Sequence, residues 1–367
     1  MKRIFRSAAL CLFILTALHA GEAPLPKTAE EQLKYLEGAL SESFRTRDFA
    51  MLEMAVKGFA AAKLPEKDLE ISILRAERDA AFGNIQSYGM MTPAAAIETW
   101  GLMARAKLGN AAALATLHKL VDEPLDTPAA LPAFGKVPPA EFLAKQQVLN
   151  DYAAAVRKRN HALLALALLK EPKIQEKALA IIVARCTECD QQVRVMNYSA
   201  GGTDPAILAV LEANAESGFK QLLEYCSEEK LPVKDQAAAL GELFTFLSPR
   251  NFGGAEEKFT IVSDIRSRMP KDAQQQLIPA YVGILKRYTP DPKQQWDATL
   301  NTITSIAFML PDKSIPPEGI AALETLTNAL PGPKEQYPKQ QFVQLLKKYG
   351  KDLNEPVKPP KAEKQDF

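Results

Sequence analysis

Apolar residues recur at helical spacing along nearly all of this 367-residue chain, while signals for β-strands are almost absent. Leu33, Leu36, Leu40 and Phe44 fall on one helical face, and Thr28 with Glu31 three residues later forms a capping box in front of them. The same spacing returns in Phe219, Leu222, Leu223 and Cys226, and in Leu240, Leu243, Phe244 and Leu247. It returns again in Trp296, Leu300, Ile303 and Leu310, and in Phe342, Leu345, Leu346 and Tyr349. No Asn-Gly or Asp-Gly hairpin pair occurs. Phe259 to Val262 has local strand character, yet Phe259, Val262, Ile265 and Met269 fit a helix better.

The 26 prolines do not contradict this reading. Proline is well tolerated in the first turn of a helix, where its missing N–H has no intrahelical partner to lose. Thr92-Pro93, Glu171-Pro172, Asp204-Pro205 and Asp291-Pro292 each place a capping-type or acidic residue before the proline. These start signals divide the chain into about fifteen short helices joined by tight turns. The expected class is all-α, built from antiparallel helix pairs stacked side by side. Three segments repeat a polar cap, a small residue and a Leu: Asp48 to Leu52, Asn110 to Leu114 and Asp204 to Leu208.

Two stretches carry a family resemblance. Ala104 to Asn110, running on to Leu114, Leu117, Leu120 and Asp122, is similar to the end of one HEAT-repeat helix and the start of the next. Asp190-Gln191-Gln192-Val193-Arg194, with Ala178-Leu179 upstream, resembles the D-x-x-V-R signature of a repeat's second helix. The resemblance implies a right-handed α-solenoid of degenerate HEAT-like repeats, which exposes an extended face for a partner. The expected order is a leader over 1–20, a helical region over 21–121 and a Pro-rich loop or linker over 122–139. Repeats over 140–350 and a disordered tail over 351–367 complete it.

Lys2, Arg3 and Arg6, an apolar run from Ala8 to Leu18 and the small Ala20 have the form of a cleaved secretory signal. Export to a periplasm or the cell exterior follows, and no later segment reads as a membrane span. Loss of those three cations turns the formal charge from +1 to −2, which leaves no basic footprint for nucleic acid. A monomer binding a protein or another envelope component is the expected arrangement, with no cofactor.

Cys186-Thr187-Glu188-Cys189 and Cys226 are the thiols left after the leader. The motif lacks the His of a haem attachment site, the further ligands of a zinc site and the βαβ setting of a thioredoxin. Cys226 lies 40 residues after Cys186 and 37 after Cys189, close to one HEAT repeat, so the resemblance implies that it can reach either. A bridge from Cys226 in an oxidising compartment would stabilise by roughly 3–4 kcal/mol. The alternative is a local Cys186–Cys189 bridge with Cys226 packed in the core.

Catalytic signatures fail in turn. Ser227-Glu228-Glu229-Lys230 matches S-x-x-K but has none of its companion motifs. There is no P-loop, no G-x-G-x-x-G and no H-E-x-x-H. His118 and His161 stand in apolar helical runs without a visible nucleophile, which is the setting of packing or capping histidines. Glu30-Glu31, Glu228-Glu229 and Glu256-Glu257 read as helix-start acids. The expectation is a binding scaffold, with Tyr88, Met90, Met91, Phe134 and Phe252 in candidate contact loops. A helical-toroid enzyme acting on glycan, with a cleft at Trp100 or Trp296, and a thiol-redox protein using the C-x-x-C are the alternatives.

Overall fold

A computed structural model describes residues 28–86, 94–129, 136–184, 203–248, 260–290, 298–311, 314–333 and 337–351. Every regular element among these residues is helical. The first five helices are α1 (Ala29–Thr46), α2 (Phe49–Ala61), α3 (Glu66–Gln86), α4 (Ala94–Lys107) and α5 (Ala111–Asp122). The central ones are α6 (Pro139–Leu168), α7 (Ile174–Val183), α8 (Pro205–Ala213), α9 (Ala215–Ser227) and α10 (Val233–Leu247). After them come α11 (Thr260–Ser267), the single turn α12 (Ala273–Gln276), α13 (Ile278–Arg287), α14 (Ala298–Met309), α15 (Pro317–Ala329) and α16 (Lys339–Lys348). The class is all-α, as the periodicity requires.

Local chemistry sets the boundaries. Thr28 accepts from the Glu31 amide at 3.2 Å and starts α1. Asp48, Asn110 and Asp204, the polar residues of the three similar segments, are N-caps of α2, α5 and α8. They accept from the amides of Met51, Ala113 and Ala206 at 3.0, 3.0 and 2.7 Å. Pro205 occupies the first turn of α8, where a proline costs nothing. Pro172 differs: α7 begins two residues later, after Lys173 in the left-handed conformation. Glu228 and Glu229 also differ from expectation. They lie in the turn after α9, where the main chain already bends toward α10, and the first-turn acid of α10 is Asp235.

Packing joins helices that are near in sequence. α1 packs on α2 and α3, α2 on α4, α4 on α5 and α6, and α6 on α8. On the next helices, α7 packs on α8 and α9, and α9 on α10 and α13; α13 then packs on α15, α10 on α14, and α14 on α16. Helices on both sides of the Pro-rich 122–139 segment meet, since α6 packs directly on α4 and α5. One connected apolar core runs from Leu36 to Tyr349.

The short α8 lies deepest. Seven of its nine residues are buried, from Ala206 to Glu212, so it is enclosed on all sides as a helix apolar around its whole circumference must be. Its one acid, Glu212, is 5% exposed and accepts from Lys170 at 2.6 Å and from Arg268. The approach of α9 to α8 is closer than a side chain permits. A Cβ on Gly218 would stand 2.6 Å from the Val210 carbonyl oxygen, a main-chain atom that cannot move aside. Gly218→Ala is therefore expected to destabilise by about 1–3 kcal/mol, read as a lower urea midpoint with unchanged slope.

Cys226 is a free cysteine on α9 with no exposed surface, so the expected bridge from it to Cys186 or Cys189 is not formed. Its thiol faces the core side of α9, and burial, helped by the nearby Glu242 charge, pushes its pKa far up. Cys186, Cys189 and the Asp190 to Arg194 segment lie outside the described residues, as do the leader, Thr92-Pro93, Asp291-Pro292 and residues 352–367.

Candidate functional site

An enclosed cavity of about 70 Å³ lies where α4, α6, α8 and α11 converge on the end of α1. α4 contributes Ala96, Thr99 and Trp100, and α6 contributes His161, Leu164 and Ala165. Thr203, Pro205 and Leu208 line it from the start of α8, and Ile261 and Val262 from α11. Arg47 completes the lining. It is the C-cap of α1, with φ 53° and ψ 41°. Helices commonly end on glycine in this left-handed conformation, and a residue with a Cβ is disfavoured there by roughly 1–2 kcal/mol. The turn directs a guanidinium inward, and burial lowers its pKa to about 10.

His161 is governed by the same surroundings. Burial, followed by the positive charges of Arg47 and Arg157, holds its imidazole down to about 3. It is neutral at pH 7. The described lining contains no Ser, Cys or carboxylate beside it, so it matches the packing histidine expected from its apolar run. The same lining bears on Trp100. That residue is 8% exposed, and its Nε1 has no hydrogen-bond partner. The described residues around it are Arg47, His161, two threonines and apolar side chains, with no pair of carboxylates such as glycoside hydrolysis uses among them. Trp296 lies outside the described residues.

A polar ladder runs past the cavity through the N-cap of α8. Asn160 on α6, 3% exposed, donates to Asp204 Oδ1 at 3.0 Å, and the Asp204 amide donates to Glu242 Oε2 on α10 at 3.2 Å. Asp204→Ala would remove the cap of α8 and the acceptor of a buried amide together. The expected loss is about 2–3 kcal/mol, with Asp204→Asn recovering part of it, measured by chemical denaturation.

A second feature is an open groove of about 270 Å³ between α6 and α7, lined by Tyr152, Val156, Ala180, Ile181 and Leu125 among others. The first ten residues of α6, up to Val148, include none that is buried, and Leu143 and Val148 are 62% and 55% exposed. Val183 at the end of α7 is 47% exposed. These are exposed apolar side chains on α6 and α7.

The other sequence candidates are structural or undescribed. His118 Nε2 lies 3.0 Å from Glu171 Oε2 and ties α5 to the turn after α6. Ser227 Oγ donates to the Leu223 carbonyl of its own helix at 2.8 Å, so the S-x-x-K serine is an ordinary helix-end hydroxyl. Tyr88, Met90, Met91, Phe134 and Phe252 all lie outside the described residues. No group of acidic, His and Cys side chains able to hold a metal ion occurs among the described residues. None of the described helices is long and apolar enough to cross a membrane. Arg47, Thr99 and Thr203 were not signalled by any motif; the one cue was a helix end at Arg47 without glycine. Comparisons with protein-family models, curated proteins and solved structures return no match to this chain.

Proposed function

We propose that the chain is an exported helical-repeat scaffold, a right-handed α-solenoid of degenerate HEAT-like helix pairs, that binds another protein or envelope macromolecule along an extended face. The observation that carries this reading is a group of tertiary ties of similar span, beside others that reach 51 to 56 residues. Side-chain hydrogen bonds join Ser72 to Glu37, Arg105 to Glu70, Asn160 to Asp204, Lys170 to Glu212, Gln175 to Ser217 and Tyr349 to Ala307. Their separations are 35 to 44 residues, close to one helical repeat. The helix contacts follow the same order, with α2, α4, α6 and α8 forming one succession and α7, α9, α13 and α15 another. Such a stack shelters each hairpin with its neighbours and leaves long faces open to a partner.

The uncovered apolar residues of α6 and α7 supply the stickiest part of that surface. Photo-crosslinking amino acids placed at Leu143 and Val148, in cells exporting the full chain, test the reading. Expected is a discrete adduct competed away by excess unmodified chain, with the leader removed near Ala20. Retention of the chain in the cytoplasm, or an absence of any competed adduct from these and other exposed positions, would overturn it.

A further inference from the structure

We draw no further inference here: the strongest candidate, the surface patch of exposed apolar side chains formed by Leu143 and Val148 of α6 and Val183 of α7, belongs to the surface already described, and nothing in the structure shows what covers it.

Discussion

Phe244→Ala is expected to lower the unfolding free energy by about 3–5 kcal/mol, the largest effect of any single side chain considered. Phe244 has no exposed surface and stands at a junction of three helices. Its ring meets Tyr281 of α13 edge to face, with centroids 6.5 Å apart and planes at 80°. Tyr281 is itself fully buried and donates its hydroxyl to the Ile303 carbonyl of α14 at 3.1 Å. Truncation removes a large apolar area and leaves a void whose walls are fixed by that hydrogen bond, so collapse cannot recover the loss. Because helices pack mainly on others near them in sequence, the damage also has an address. Hydrogen exchange should accelerate in α10, α13 and α14 well before it does in α1–α5. A midpoint change worth less than about 1 kcal/mol, or uniform acceleration throughout, would contradict this.

The second large effect depends on pH. His161 has a folded pKa of about 3, against about 6.5 in an unfolded chain. Above pH 6.5 both states hold it neutral, and it contributes no pH dependence. As the pH falls below 6.5, the unfolded state takes up a proton that the folded state refuses. Stability then declines by up to about 1.4 kcal/mol per pH unit, until the folded pKa is reached near pH 3. His161→Gln removes that difference. The parent and the variant should differ by a nearly constant amount above pH 7. Between pH 6.5 and pH 4.5 the parent should lose about 2–3 kcal/mol relative to the variant, measured by urea denaturation in non-carboxylate buffers. Parallel stability profiles over that range would show that the imidazole is solvated.

Much of the fold was legible because its causes are local. Asp48, Asn110 and Asp204 are caps whatever packs against them, and the Ile265 and Met269 spacing outweighed the β-branched residues that precede it. Ser227 is legible as a helix-end residue, and its hydroxyl donates to the Leu223 carbonyl of its own helix. Pairing between distant helices was not legible. The spacing from Cys186 to Cys226 equals a genuine tie length in this chain, yet spacing alone does not say which face a residue turns. Cys226 turns to the core. The cavity was hidden further still, because its walls come from residues 47 to 262 and depend on how four helices converge. In the sequence Trp100 is a candidate only for a glycan cleft, and no motif singles out Arg47.

Tandem stacking is the claim on which the scaffold reading rests, and zero-length carbodiimide cross-linking of the intact monomer tests it directly. Lys107 lies 2.7 Å from Glu53, Lys158 lies 2.6 Å from Glu98, and Lys177 lies 2.7 Å from Asp122. These pairs join α4 to α2, α6 to α4 and α7 to α5, successive steps of the proposed stack. All six side chains are at least partly exposed to reagent. Amide links at these three pairs, recovered by peptide mapping, are the predicted result. Their absence, with intramolecular links instead joining α2–α5 to α13–α16, would contradict the stack.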